Sequence, residues 1–353
     1  MNTIGRNFGS DNVTPASPEV IDAIVAANVG SLQSYGDDPY THRLTTLAST
    51  LFETEVTIYP VATGTVANAL ALSVLTPPYG AIYCHEAAHI MTDECGAPEF
   101  YTGGAKIIGL PTADGKIVPA QLDNPLRFAQ DTGVHHVRPA TLSLTQSTEW
   151  GTVYTPAEVS ALSDAAHAYG LGVHMDGSRL ANAIACLGCS PAEITWKSGV
   201  DALCLGATKN GAMAAEAVVF FDRTRAAGFE SRRKRAGHLW SKMRFLSAQL
   251  IAYLEDGLWL RNARHANAMA ARLAAGLTAL SGIQLVQPVQ ANELFVVMPE
   301  AMIATLLAEG FEFHRWPAPA GVSGSVVRLV TAFCTTAADV DALLAAISDR
   351  ATR

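Results

Sequence analysis

Residues 171–180 read LGVHMDGSRL. A mostly apolar run ends in Asp176, Gly177 turns the chain, and Arg179 follows. Such a run, without regular polar alternation, fits a strand buried on both faces, as in a parallel sheet. The preceding stretch, TPAEVSALSDAAHAYG at 155–170, reads as a helix with Thr155 at its cap and Pro156 at its first position. Downstream, DALCLG at 201–206 and EAVVFFD at 216–222 are again strands. Toward the N-terminus, ATLSL (140–144), AKIIGL (105–110), AIYC (81–84) and EVTIYPV (55–61) read the same way, and TVANALALSVL (65–75) as a helix. Strands that alternate with helices predict an α/β fold, a parallel sheet covered on both faces.

From about residue 229 the pattern changes. One long helical region spans 239–280, followed by the strand NELFVVM, a helix near 299–309, the strands FEFHRW and VVRLV, and a last helix ending near 349. We read residues 1–250 as a large domain and 251–353 as a smaller α+β domain, with the long helix bridging them.

Of the 353 residues, 49% are hydrophobic and only 16% charged, enough for a sizeable core and for surface buried between subunits. The net charge of −8 argues against nucleic acid as a partner. No charged leader precedes an apolar run, and no stretch approaches the roughly 18 apolar residues of a membrane span, so a cytoplasmic chain is expected. Cysteines 84, 95, 186, 189, 204 and 334 form no disulfide framework and are expected to be reduced. The lone Cys186-x-x-Cys189 is not read as a metal or redox site.

Parallel sheets bind ligands beyond the carboxyl ends of their strands. Three such ends matter. ATGTVANAL places Thr63-Gly64-Thr65 at a helix start, where free N–H groups suit a phosphate, although an ordinary capped turn would look the same. Asp176 could bind a metal, cap a helix or hold a protonated ring nitrogen. ATKNG presents Lys209 among small residues; a lysine so placed suits Schiff-base formation, while snorkelling to solvent is its commoner fate. Taken in order, a phosphate cup, an acid and a lysine form the layout of a pyridoxal phosphate site.

The motifs GSDNVTPASPEV, YGDDP, ATGTVAN, AAHI, HMDGSRL, TKNG and VVRLVT run in order from residue 9 to 331. In them the chain resembles the low-specificity L-threonine aldolases, of the β-eliminating lyase group within the aspartate-aminotransferase-like (fold type I) enzymes. The resemblance implies pyridoxal 5'-phosphate as cofactor and cleavage of L-threonine, L-allo-threonine and related β-hydroxy-α-amino acids to glycine and an aldehyde. It also implies a homo-oligomer, a dimer or tetramer.

Position by position, Lys209 would carry the cofactor's aldehyde as a Schiff base and Asp176 would pair with the ring nitrogen. Gly64 and Thr65 would bind the phosphate. Arg179 and Arg328, with Ser10, would hold the substrate carboxylate, and Arg179 would also border the cofactor. His89 would lie over the ring face. His135, or His136 after a one-residue shift, would be a second active-site histidine. Arg235 and Lys242 would reach the phosphate of a neighbouring subunit. The chain departs from the family pattern at Val66, in place of a frequent glutamine, and at TQSTEWG (145–151). The order His85-Glu86-x-x-His89 matches that of zinc proteases, yet His85 falls at a strand end and no third ligand follows. A zinc hydrolase is therefore the remote alternative, and β-elimination by the same cofactor the near one.

Overall fold

The computed structural model describes residues 6–319 and 321–351. Seven strands form the first sheet: β1 (Thr57–Val61), β2 (Gly80–His85), β3 (Lys106–Leu110), β4 (Arg138–Thr145), β5 (Gly172–Gly177), β6 (Ala202–Gly206) and β7 (Glu216–Phe220). Their order is β1-β7-β6-β5-β4-β2-β3. Neighbours from β6 to β3 are parallel, whereas β7 runs antiparallel to both β6 and β1. The expected parallel sheet is therefore mostly parallel. The link from β6 to β7 is too short for a helical crossover, so the chain must double back.

Side chains alternate across each strand and fill two cores. Leu203 and Leu205 of β6 join Val173, Met175, Leu142 and Val219 on one face. Ala202 and Cys204 point the other way, against Val66, Ala67, Leu70 and Ala71 of the helix Gly64–Leu75. Val66, where the family often has glutamine, is thus spent on packing.

The second sheet is antiparallel in the order β10-β11-β9-β8: β8 (Gln284–Leu285), β9 (Glu293–Met298), β10 (His314–Trp316) and β11 (Ser325–Val330). Its core joins Leu294, Val296, Val327 and Leu329 to Leu273 and Leu277 of the helix Leu258–Thr278 and to Val340 and Leu343 of the helix Ala337–Ala351. Residues 7–9, grouped with the large domain from sequence, lie against this sheet. Phe8 is buried in its core, donates its N–H to Glu312 O at 2.7 Å and accepts from Val330 N at 2.8 Å.

The single long helix expected over 239–280 is two, Arg244–Leu254 and Leu258–Thr278. Asp256 has φ 51° and Gly257 φ 69°, left-handed values that end one helix and let the next start. Of FEFHRW, only His314–Trp316 pairs as a strand. Among the described residues no helix is long and apolar enough to cross a membrane.

Candidate active site

Parallel strands align their carboxyl ends, so β4, β5 and β6 deliver Thr145, Asp176 and Gly206 to one edge of the sheet. Asp176 is buried there. Its Oδ1 accepts from Ser178 N at 2.9 Å and Ser178 Oγ at 2.7 Å, and its Oδ2 from Asn68 Nδ2 at 2.8 Å. Burial alone would raise this carboxyl. The Ser178 donors, the positive charge of Lys209 and the Asn68 amide outweigh burial and hold it below the usual range. Asp176 is thus an anion at neutral pH. Gly206 makes the arrangement possible, because a Cβ there would stand 2.5 Å from Ser178 O and 2.6 Å from its Cα.

Asn68, one turn into the helix Gly64–Leu75, also donates to Glu94 Oε1 at 2.8 Å. The same oxygen lies 2.9 Å from His89 Nδ1, which must donate to it. His89 opens the short helix His89–Thr92 just beyond β2, and its backbone N–H donates to Glu149 Oε1 at 2.9 Å. Thr145 Oγ1 donates to that carboxylate oxygen at 2.8 Å. The hydrogen bond that His89 donates to Glu94 raises the His89 pKa against the effect of burial, helped by the Asp176 and Glu94 charges and opposed by Lys209. Burial pushes Glu149 up to about 7, although the His89 amide and Thr145 hydroxyl partly offset it.

Lys209 sits in the turn Thr208–Asn210 that follows β6. Asn210 anchors this turn, giving its amide to Tyr253 Oη at 2.9 Å and Trp259 O at 2.8 Å. The Lys209 charge lowers the pKa values of Asp176, Asp11 and His89. At the helix start, Thr63 Oγ1 caps Val66 N. The first-turn amides of Gly64 and Thr65 lack carbonyl partners within the helix and are free for an anion.

The arginine pair differs from expectation. The Arg179 fork is already engaged, Nε to Asp11 Oδ2 at 2.7 Å and Nη2 to Asp11 Oδ1 at 2.9 Å, with Nη1 3.2 Å from Glu293 Oε2. A bidentate grip on a ligand carboxylate by Arg179 is therefore not what the structure displays. Arg328 remains the better candidate. It stacks over Trp316 at 4.5 Å, donates from Nη2 to Gly9 O at 3.2 Å, and has a buried Nε without a partner. Ser10 Oγ caps a short turn by accepting from Asn12 N at 3.1 Å.

One expected contributor lies elsewhere in this chain, and two, Arg235 and Lys242, were expected to act on a neighbouring subunit. His135 is exposed in the turn just before β4. The eight residues of β4 separate that turn from Thr145 by roughly 25 Å of strand. His135, like His136, thus belongs to the opposite edge of the sheet and does not reach Asp176 within one chain. Arg235 and Lys242 are exposed. Arg233, by contrast, is buried; it lies over Tyr59 at 5.0 Å and donates to Pro60 O at 3.4 Å. His238 Nδ1 likewise accepts from Ala62 N at 3.3 Å.

His85 ends β2, not a helix, and its ring is held by Thr112 and by Ala87 N at 3.1 Å. Among the described residues no group of three or more His, Cys, Asp or Glu side chains could hold a metal ion.

Sequence reasoning missed Asp11, Asn68, Glu94, Glu149 and Glu293. Only Asn68 left a usable signal, an amide inside the otherwise apolar helix face of ATGTVANALAL. Asn68 Oδ1, Glu94 Oε2 and Glu149 Oε2 are buried without a partner, as is Arg328 Nε. Proteins seldom leave polar atoms so. An acid kept anionic, a lysine facing it and free amides at a helix start fit pyridoxal phosphate.

A family model described as beta-eliminating lyase matches residues 7–301. The chain belongs to this family. Within the beta-eliminating lyases, it is 44% identical over 316 residues to the low specificity L-threonine aldolase of Pseudomonas sp. (strain NCIMB 10558), covering 90% of this chain and 91% of that one. It is 45% identical over 311 residues to the Pseudomonas aeruginosa protein of the same name, covering 88% and 89%. Among solved structures, the Leishmania major threonine aldolase superposes with a TM-score of 0.91 at 28% identity, covering 98% of this chain and 99% of that one.

Proposed function

We propose that this chain uses pyridoxal phosphate to cleave L-threonine, L-allo-threonine and related β-hydroxy-α-amino acids to glycine and an aldehyde. The observation that carries the reading is Asp176, a buried carboxylate held anionic by Ser178 and Asn68 beside the charge of Lys209. Together with the aldolase relatives, it supports a lyase acting on an amino acid.

Bound pyridoxal phosphate supplies an electron sink for the bond broken at Cα. Asp176 would keep the ring nitrogen protonated, which deepens that sink. Lys209 would hold the aldehyde, and the Gly64 and Thr65 amides would hold the phosphate. Arg328 binds the substrate carboxylate through its free Nε–H. Holding the carboxylate there would orient the substrate and so would select Cα–Cβ, rather than Cα–H, as the bond to break. Arg179 supports the clamp from behind, tied to Asp11 and Glu293. His89, whose Nδ1 is held by Glu94, would border the cofactor and offer Nε2 as a proton acceptor for the β-hydroxyl.

A role for His135, Arg235 or Lys242 requires a second chain, and the reading includes a homo-oligomer, dimer or tetramer. The exposed apolar side chains Ile21, Val25, Val29, Leu32 and Trp240 support it. The division near residue 250 and a cytoplasmic location belong to the same reading. Incubation with L-threonine tests the chemistry. Acetaldehyde with equimolar glycine is expected; ammonia with 2-oxobutanoate and no glycine would mean β-elimination at the same site.

A further inference from the structure

We infer that Glu94, acting with Asn68, is a positioning residue that ties the His89 imidazole and the Asp176 carboxylate into one hydrogen-bonded chain. The inference rests on the proposed cofactor reading for its purpose, though not for its geometry. Glu94 follows the short helix that His89 opens, and its side chain is fully buried. Oε1 accepts from His89 Nδ1 at 2.9 Å and from Asn68 Nδ2 at 2.8 Å, and Asn68 Nδ2 also lies 2.8 Å from Asp176 Oδ2. An amide nitrogen carries two hydrogens, so Asn68 can serve both carboxylates only in one orientation. The packed helix Gly64–Leu75 holds it there.

Two consequences follow. A carboxylate accepting from Nδ1 fixes the imidazole tautomer and ring plane, leaving Nε2 as the atom turned to the site. The group that sets the ring face is also coupled to the group that sets the ring nitrogen, so neither can rotate without breaking a shared amide. The charges agree with this. His89 is faced by Glu94 from its own segment, by Asp176 from β5 and by Lys209 from the turn after β6, with Glu149 on its backbone side. Glu94 is faced by His89, Asn68 and Asp176, and its charge is felt by Cys204 on β6. Burial raises the Glu94 carboxyl, and the hydrogen bond to Glu94 raises His89.

The test uses the full chain with histidine labelled at Cε1, titrated by NMR both without and with added pyridoxal phosphate, the His89 signal being the one lost in His89→Phe. Glu94→Gln keeps the shape and removes the charge. It is expected to lower the His89 midpoint by about one pH unit, a tenfold loss of proton affinity. The kcat/KM profile should move in the same direction while the cofactor absorbance is retained. Asn68→Ser, which breaks the link to Asp176 without touching His89, should weaken cofactor affinity several-fold, and it provides a second arm should Glu94→Gln fold poorly. An unmoved His89 midpoint in Glu94→Gln overturns the proposal. So does a Glu94→Gln shift of the pH profile that persists in a His89→Phe background. Wild-type protein that forms no absorbing complex with pyridoxal phosphate would sink the cofactor reading instead, and the NMR arm on the same chain would still decide the Glu94 link.

Discussion

Asp11→Asn is the sharpest test of the arginine cluster. Asp11 precedes the first long helix and Arg179 follows β5, while Glu293 and Asn292 belong to the second sheet and its approach. One buried carboxylate therefore ties three parts of the chain. It accepts both arms of the Arg179 fork, and Asn292 Nδ2 at 3.0 Å. Removing one partner of a buried pair costs about 3–5 kcal/mol, because the remaining charge is left without compensation. Glu293 stays 3.2 Å from Arg179 and asparagine keeps one acceptor, so a loss of about 2–3 kcal/mol is expected. Burial raises the Asp11 carboxyl, yet the Arg179 charge and hydrogen bonds prevail and hold it below its ordinary 3.8. A depressed carboxyl contributes stability that is fully present above 3.8 and lost as pH falls through the folded value. The wild-type advantage should then be constant from pH 5 to 8, as an approximate window, and shrink only under strong acid. Urea unfolding of both proteins across pH measures it. A difference under about 0.5 kcal/mol at neutral pH would refute the claim that this pair is buried and compensated mainly by Asp11.

Other outcomes follow from the same geometry. Glu149, raised from 4.5 to about 7 by burial, contributes stability below 4.5 that is lost as pH rises through about 7. Glu149→Gln should therefore gain on wild type over that window, by up to roughly 3 kcal/mol in urea unfolding. Gly206→Ala would press a Cβ to 2.5 Å from Ser178 O, costing about 1–3 kcal/mol and weakening cofactor binding in an absorbance titration. Lys209→Ala should abolish borohydride labelling and slow turnover by orders of magnitude; normal labelling would move the aldehyde to another lysine. His85→Ala should keep cofactor affinity, since its ring bonds to Thr112 and Ala87, and chelators should leave turnover unchanged.

Much of this protein is legible before any tertiary contact is known. Strand and helix composition in residues 55–222 determined an α/β sheet, because burial on both faces demands nearly continuous apolar runs. The same logic placed Asp176 and Lys209, since strand-end residues in a parallel sheet collect at one edge whatever the details of packing. Local chemistry also argued against reading His85 as a ligand beside His89, since a strand end does not align with a residue one helical turn on.

What the sequence could not determine depends on partners distant along the chain. Nothing near Arg179 reveals that Asp11 takes its fork, and nothing near His89 reveals Asn68. Glu94 and Glu149 look like ordinary surface acids until burial is known, because a carboxylate's role depends on the donors around it. His135 resembled a site residue by motif, but direction along β4 sends it to the far edge. The break at Asp256-Gly257 escaped because apolar periodicity continues on both sides, while two left-handed residues suffice to turn the helix. Topology decided each of these, for the reason that hydrogen bonds and charge pairs act over a few ångströms of space and carry no mark in the order of residues.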